Sequence, residues 1–177
     1  MNRPSAKLIN LKDMAGPSAV TLQNWEKISG EHQKLYKNFL SKAPKNEVLR
    51  ELPELHEKAF EQINCLECAR CCKNYSPRFK TPDIKRISRI LQMKESAFIE
   101  KYLKLDEEGD YVAASTPCPF LGPDNRCAVY EDRPSDCKRF PYTDEDVILK
   151  RPRLTVKNSS FCPIVVSVLE GLMKKLT

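Results

Sequence analysis

The stretch Cys65–Cys72, CLECARCC, places four cysteines within eight residues. Repeated C-x2-C spacing curls the backbone so that the sulfur atoms converge, as they do in zinc sites and iron–sulfur loops. Three explanations compete for such a cluster: metal ligands, disulfide partners, or free thiols with redox chemistry. The chain has four more cysteines, which are Cys118, Cys127, Cys137 and Cys162.

The disulfide explanation fits the sequence poorly. Disulfide frameworks belong mainly to small secreted domains that lack a sufficient core, whereas a chain of 177 residues can bury a real apolar core. The first residues, MNRPSAKLINLKD, show no signal-peptide pattern, so we expect a cytosolic protein. A bond between the neighbours Cys71 and Cys72 would also be strained, because bridged Cα atoms prefer a larger separation. The clustering likewise argues against scattered, buried free cysteines.

Metal binding explains the spacing best. Cys65, Cys68 and Cys71 supply three converging thiolates, so at least one further ligand must come from elsewhere in the chain. Proline follows both Cys118 and Cys162, which is close to the C-x2-C-x2-C-x3-C-P pattern of bacterial [4Fe–4S] loops. Four thiolates equally suit a tetrahedral zinc ion. The sequence therefore predicts either an iron–sulfur cluster, [4Fe–4S], or zinc, with all eight cysteines as ligands.

Two further patterns refine this prediction. The two histidines, His32 and His56, lie outside the cysteine-rich segments, so mixed cysteine and histidine sites are not expected. Adjacent residues tend to point in different directions, so Cys71 and Cys72 are not expected to bind the same ion. We therefore predict two groups of ligands: Cys65, Cys68, Cys71 and Cys162 in the first, and Cys72, Cys118, Cys127 and Cys137 in the second.

The composition is that of a globular chain, with 41% apolar and 31% charged residues and a net charge of +6. No window approaches the roughly 20 apolar residues of a membrane span, and no glycine-rich phosphate loop is present. A thiolate-rich centre would offset much of the positive charge, so a nucleic-acid partner is not expected. Six cations flank the cysteines and are candidates to hydrogen-bond the sulfurs: Arg70, Lys73, Arg126, Arg133, Lys138 and Arg139.

The pattern predicts a mostly α chain with a few short strands, a small α+β fold organised around the cysteine metal cluster. Residues 1–20 are expected to be a flexible segment and residues 21–63 an antiparallel helical hairpin, bent or restarted at Pro53. Residues 64–177 form the metal-binding region, which completes one compact domain with the hairpin. The inward faces predicted for the hairpin are Trp25, Ile28, Leu35 and Phe39, with His32 beside them, then Leu49, Leu52, Leu55, Ala59 and Ile63.

Later segments also carry structural signals. Thr81 is the expected N-cap of a helix with Pro82 in its first position, and residues 95–105 are expected to form another short helix. Residues 111–115, YVAAS, predict a strand. The turn in FLGPDNRC is expected to bring Cys118 and Cys127 together. One helical turn is expected after Pro134, and residues 160–176 are predicted to be the last helix.

The motifs CLECARCC, PCPFLGPDNRCAVYEDRPSDCKRFP and FCP resemble the zinc- or iron-chelating CxxCxxCC cysteine-cluster family of bacterial proteins. The resemblance covers roughly residues 62–165 and implies a metal-ligand role for each of the eight cysteines by position. The family pattern often has arginine directly after the third downstream cysteine, where this chain has Lys138 followed by Arg139. A related cluster occurs in flagellin lysine N-methylases, where it looks like an iron–sulfur centre.

Three functions follow from these observations. The first is a metal-binding protein that chelates iron, as an iron–sulfur cluster, or zinc, with metal ions as its partners and a protein partner left open. The second is a cluster-dependent redox or group-transfer (methylase-like) enzyme, for which the sequence shows no general-base constellation. The third is a zinc-type module that binds protein or nucleic acid, and no helix with a continuous basic face supports it.

Overall fold

The computed structural model describes residues 20–177. The flexible segment predicted for residues 1–20 therefore lies outside the described residues, except for Val20, which is buried. A mostly α chain with short strands is confirmed. Along the described residues the elements are α1 Trp25–Lys42, α2 Lys45–Gln62, α3 Cys65–Cys68, α4 Arg70–Asn74, α5 Thr81–Ile90, α6 Glu95–Tyr102, β1 Leu103–Leu105, β2 Tyr111–Ala113, α7 Ser135–Arg139, α8 Val147–Lys150, α9 Pro152–Ser159 and α10 Pro163–Leu176.

The apolar helix α10 organises one part of the molecule, which we call the helical half: α1, α2, α8, α9 and α10. Pro163 occupies the first position of α10, where a missing N–H costs nothing. Helix α10 packs against α2, α1 and α9, and it buries Val165, Leu169 and Leu172 completely. Opposite them, α2 buries Val48, Leu52, Leu55 and Ala59. The close contact depends on Gly171, because a Cβ there would lie 2.6 Å from Leu55 Cδ2.

The predicted inward face of α1 is correct in part, because Ile28 and Phe39 pack, partly buried, against the core, but the most deeply buried positions are shifted by one. Trp25 is buried as expected, but the other buried residues are Ser29, Tyr36 and Leu40. Polar contacts explain the shift, because Ser29 Oγ donates a hydrogen bond to the Ser159 carbonyl (2.8 Å) and Tyr36 donates to Glu170 Oε1 (2.7 Å). His32 Nδ1 lies 2.6 Å from the same carboxylate oxygen. The face of α1 is therefore selected by partners on α9 and α10 as well as by apolar area.

Helix α2 also differs from expectation in two respects. It runs unbroken through Pro53, and Leu49, predicted to face inward, is 41% exposed while Val48 is buried. Helices α1 and α2 are joined by a short turn at Ala43–Pro44, but α2 packs mainly on α10, and α1 packs on α9 and α10, rather than on each other. The expected helical hairpin is therefore completed by the last helix of the chain.

Residues 64–139, which we call the cysteine half, have a second, smaller apolar core. Ile87 of α5 and Phe98 of α6 are fully buried there, together with Phe79, Ile84, Leu103, Ala113, Phe120 and Val129. Cys118 and Cys127 pack against this core, whereas Cys162 belongs to the core of the helical half. The cysteines therefore lie between two separate apolar clusters.

Two predicted element boundaries in the cysteine half are wrong. Helix α6 ends at Tyr102, and Leu103–Leu105 is strand β1, which pairs antiparallel with the predicted strand at Tyr111–Ala113. Helix α5 starts at Thr81 with Lys80 rather than Thr81 at the cap, because the Asp83 carboxylate accepts the Lys80 amide N–H (3.1 Å). Within residues 20–177, no helix combines the length and the apolar character that crossing a lipid bilayer requires.

Candidate metal site

The CxxCxxCC segment folds as two single-turn helices that meet at Ala69. Helix α3 begins with a cap, because Asn64 Oδ1 accepts the Leu66 N–H (3.0 Å). Ala69 ends α3 in the left-handed conformation, with φ 45° and ψ 16°, which is unfavourable for any residue with a Cβ. The chain changes direction there and starts α4 at Arg70. This break allows Cys65 and Cys68 of α3 and Cys71 and Cys72 of α4 to line the same cavity.

A tight loop presents the next two cysteines. Cys118 is tied directly to the CxxCxxCC segment, because its N–H donates to the Cys72 carbonyl (2.8 Å). The chain then turns at Gly122, whose N–H donates to the Arg126 carbonyl (2.7 Å), and Cys127 forms an antiparallel bridge with Leu121. A Cβ at position 122 would lie 3.2 Å from the Arg126 carbonyl oxygen. The loop brings Cys118 and Cys127 together as the sequence predicted.

Helix α7 carries Cys137, and buried polar contacts fix both sides of it. Asp136 accepts hydrogen bonds from Tyr75 Oη (3.0 Å), from the Arg78 N–H (3.3 Å) and from Tyr142. At the start of α7, the Ser135 N–H and hydroxyl both donate to the Asp83 carboxylate, at 3.1 and 3.0 Å. These contacts join α7 to the rest of the cysteine half.

All eight predicted ligands line one cavity of about 190 Å³ between the two apolar cores. Its lining is otherwise mainly aromatic and aliphatic. Seven aromatic side chains contribute to it: Phe60, Tyr75, Phe79, Phe120, Tyr130, Phe140 and Phe161. The stacked rings of Phe140 and Phe161, 5.9 Å apart, belong to the side formed by the helical half. A space of this size lined by eight thiols is much larger than one water molecule, which occupies roughly 10–15 Å³ of such space.

Backbone N–H groups already point at three of the sulfurs. The Phe120 N–H donates to the Cys118 sulfur, and the Val129 N–H donates to the Cys127 sulfur. Cys162 precedes α10, and its sulfur accepts the N–H groups of Ile164 and Val165 in the first turn. Such bonds favour the thiolate, the form that binds metal. These three cysteines are therefore held in place by the fold around them.

Burial acts in the opposite direction on the same thiols. It raises the pKa of Cys162 to about 12 and that of Cys118 to about 11, in spite of their N–H donors. Burial also raises the pKa values of Cys137, Cys65 and Cys127 above the usual range. In the metal-free protein these thiols therefore keep their protons at neutral pH, and a bound metal would have to displace them.

Cys71 and Cys72 are closer to each other than expected. Their Sγ atoms lie 3.9 Å apart, although neighbouring residues of a helix are about 100° apart around its axis. Two sulfurs on one tetrahedral zinc ion, with Zn–S bonds of about 2.3 Å, would be about 3.8 Å apart. The hydrogen bond from Cys71, helped by the nearby charges of Arg133 and Lys73, lowers the pKa of Cys72 to about 7, while the same bond raises the pKa of Cys71.

Electrostatic contacts between the thiols form two sets. Cys162 interacts with Cys65 and Cys68, and Cys71 interacts with Cys162 and Cys65. Separately, Cys137 interacts with Cys118, Cys72 and Cys127. Contacts of Cys72 with Cys71 and Cys65 join the sets. Because the pair Cys71–Cys72, with sulfurs 3.9 Å apart, crosses the two sets, the division into two ligand groups stays a prediction.

Within residues 20–177, no three cysteine, histidine or acidic side chains are close enough to hold one metal ion as they stand. All eight cysteines are free thiols. The donor chemistry nevertheless fits zinc or iron, because soft thiolates select these metals. A further fit is the buried Nε of Arg133, an N–H donor without an acceptor in a side chain that lines the cavity. A thiolate-bound centre would supply an acceptor there.

The six flanking cations have different surroundings. Arg133 lines the cavity, and so does Arg70, which also contacts Trp25 and Glu26. The positive charge of Lys73 helps to lower the pKa of Cys72. Arg126 is exposed and pairs with Asp124 (3.7 Å), and Arg139 pairs with Glu145. Lys138 is exposed and does not line the cavity.

Sequence reasoning missed the residues that hold the site from behind. Asp83 and Arg86 lie between the cysteine motifs, and Asp136 lies next to Cys137 without a distinctive pattern of its own. Asp83 is 2% exposed, and its partner Ser135 is 52 positions away. The sequence shows an acidic residue, Asp83, in the first turn of α5. It does not show that the same carboxylate accepts hydrogen bonds from Ser135.

The CxxCxxCC family, described as a "Putative zinc- or iron-chelating domain", matches residues 64–163. No curated protein and no solved structure matches the chain. The matched range begins one residue before Cys65 and ends one residue after Cys162, so it contains all eight cysteines and most of the residues that line their cavity. This chain is a member of the CxxCxxCC zinc- or iron-chelating family.

Proposed function

We propose that the eight cysteines are the metal ligands and that the protein binds iron as an iron–sulfur cluster. The observation that carries this proposal is the convergence of all eight thiols on one cavity. Six of them come from the CxxCxxCC segment and the loop from Cys118 to Cys127, while Cys137 lies in α7 and Cys162 directly precedes α10. A fold that served only to bury cysteines would have no reason to gather every one of them in one place.

The width of the cavity favours a cluster over a single zinc ion. One tetrahedral zinc ion needs four sulfurs about 3.8 Å apart, and no three candidate ligands among residues 20–177 approach that arrangement. A cluster contains several irons and bridging sulfides, so its thiolates stand farther apart. The apolar lining and the N–H donors to Cys118, Cys127 and Cys162 are surroundings that tune such centres.

The two sets of thiols support two centres. Cys65, Cys68, Cys71 and Cys162 would hold the first, and Cys72, Cys118, Cys127 and Cys137 the second. When bound, a cluster would supply electron transfer or Lewis-acid chemistry. The chain's own residues hold the thiolates, exclude water with the aromatic lining and donate hydrogen bonds to sulfur. An enzymatic or nucleic-acid-binding role stays a prediction from the sequence.

Purification without oxygen tests the proposal. We expect brown protein whose visible absorption bleaches on reduction, with iron and acid-labile sulfide in similar amounts. Colourless protein containing zinc and no sulfide would contradict the iron–sulfur assignment but keep the thiolate site. Compact protein free of both metals, with all eight thiols rapidly alkylated, would contradict metal binding itself.

Cys71→Ser and Cys72→Ser form a matched pair for the two-centre assignment, because the residues are adjacent and comparably buried. With cadmium-113 as the probe, wild-type protein should show two tetrathiolate resonances. Each variant should shift or lose a different one. Loss of the same resonance in both variants would place the two cysteines on one ion and contradict the assignment.

A further inference from the structure

Arg133 is the charged side chain that is least accounted for in the cavity lining. Its guanidinium carbon lies 4.0 Å from the ring centroid of Tyr130, and its Nε is buried without a hydrogen-bond acceptor. A buried, unpaired N–H donor costs about 1–3 kcal/mol. The neighbouring carboxylates are engaged elsewhere, because Asp132 pairs with Arg86 and Asp136 accepts from Tyr75.

The backbone around Arg133 is fixed by α5. Arg86 Nη2 donates to the carbonyls of Asp132 (3.1 Å) and Arg133 (3.0 Å), and the same atom contacts Asp83 Oδ1 (2.9 Å). On the other side, Asp83 accepts both hydrogen bonds from Ser135. Arg86 and Asp83 therefore fix the backbone on either side of Arg133, and the guanidinium stacks on the ring of Tyr130. These contacts fix the direction of the Arg133 side chain.

The thiols whose pKa the charge of Arg133 helps to lower come from both sets of cysteines. They are Cys65 of the first, and Cys72 and Cys127 of the second. Centres ligated by thiolates carry excess negative charge, and a guanidinium stays protonated at any pH in use. Charge and N–H donation to sulfur are among the factors that set metal affinity and reduction potential.

We propose that Arg133 is a positioning residue of the metal site: its guanidinium stands where the two groups of cysteines meet, balances the charge of the bound thiolates and donates Nε–H to a ligand sulfur. This inference rests on the proposed thiolate site. It assigns to one arginine a role that the other flanking cations do not share, since Arg70, Arg126 and Arg139 have carboxylate partners and neither Lys73 nor Lys138 lines the cavity.

Zinc affinity of the full chain tests the role, with Zn²⁺ as the probe and a chromophoric chelator as competitor. Arg133→Gln should lower the affinity about tenfold, as is typical for lost partners of metal ligands. Arg126→Gln removes the same charge from an exposed, paired arginine and should change the affinity less than about twofold. Equal effects of the two variants, or wild-type affinity in Arg133→Gln, would overturn the inference.

Arg133→Lys covers the case in which Arg133→Gln does not fold. Lysine restores the charge without the planar fork that stacks on Tyr130, so we expect an affinity between those of wild type and a tenfold loss. Wild-type affinity in this variant would overturn the assigned hydrogen bond. Wild-type protein that binds neither Zn²⁺ nor iron would instead contradict the proposed function, which separates the two failures.

Discussion

The two halves of this molecule are closed in different ways. In the helical half, α10 buries eight of its fourteen residues, and its leucines and valines fill the space against α1 and α2. In the cysteine half, α3, α4 and α7 bury none of their residues, yet they surround a cavity of about 190 Å³. Apolar packing can stabilise the first region by itself. The cysteine half has short helices and many thiols, as is typical of regions that fold around a bound metal.

Removal of the metal should produce the largest difference in behaviour between the two halves. After chelation under reducing conditions, we expect backbone amides in residues 64–139 to exchange with solvent about 100-fold faster, because site formation and local folding are coupled. Amides in residues 166–176 of α10 should change less than about threefold. Exchange measured by mass spectrometry checks this. A uniform increase across the chain would show that the halves unfold together.

Protons should compete with metal at the buried cysteines of the site, Cys162 of the helical half included. Raised pKa values, to about 11 for Cys118 and about 12 for Cys162, mean that these thiols are protonated in the free protein at neutral pH. Each proton displaced makes the affinity rise about tenfold per pH unit. The Zn²⁺ affinity should therefore increase with pH between 6 and 9 with a slope above one. Chelator competition, corrected for protonation of the chelator, measures it, and a flat profile would contradict it.

Truncation of a core leucine should affect the helical half alone. Leu52 of α2 is 1% exposed, so Leu52→Ala should lower the free energy of unfolding by about 3 kcal/mol. The control is Leu49→Ala in the same helix, where the side chain is 41% exposed and a loss below about 1 kcal/mol is expected. Urea unfolding gives the energies, and metal content should stay at the wild-type level. Metal loss in folded Leu52→Ala protein would argue against independent halves.

The smallest effect is expected at Asp83, which connects α5 to α7. Burial raises the pKa of Asp83, but hydrogen bonds from Arg86, Lys80 and Ser135 outweigh it and leave the pKa below the usual range. Its stabilisation is thus complete above about pH 4, the pKa of an unfolded aspartate, and is lost as pH falls through the native pKa.

Asp83→Asn should cost about 1–2 kcal/mol at neutral pH and reduce the acid sensitivity of unfolding. Asp110→Asn at the exposed pair with Arg78 is the control, with an expected loss below about 1 kcal/mol. Thermal unfolding at pH 3 to 7 compares the two. If Asp83→Asn kept the acid sensitivity of wild type, the Asp83 carboxylate would not be the group that stabilises the link between α5 and α7.

The sequence predicted the cysteine half and the helical half with different success. The spacing of CLECARCC and the prolines after Cys118 and Cys162 predicted metal sites made of cysteines, because ligand spacing is local information. The turn at Gly122 and the helix after Cys162 were also predicted correctly, since glycine, proline and apolar runs act within a few residues.

What the sequence did not reveal depends on distant contacts. Helices α8 and α9 were not predicted, because Val147, Ile148 and Leu149 are consecutive and show no helical period. The burial of Ser29 and Tyr36 in α1 was not predicted because their hydrogen-bond partners lie 130 and 134 positions away. Strand β1 was read as the end of α6, since Leu103 continues the apolar pattern of that helix and only the pairing with β2 distinguishes them.

Helix α10 fixes a length as well as a direction. The sulfur of Cys162 lies at the entrance to its first turn, and Leu169 and Leu172 lie about two and about three turns further along. Insertion of a single residue between them would rotate one group relative to the other by about 100° and advance it by about 1.5 Å. Either the leucines would leave α2 or the sulfur would leave the cavity, so this interval is expected to tolerate substitutions but neither insertions nor deletions.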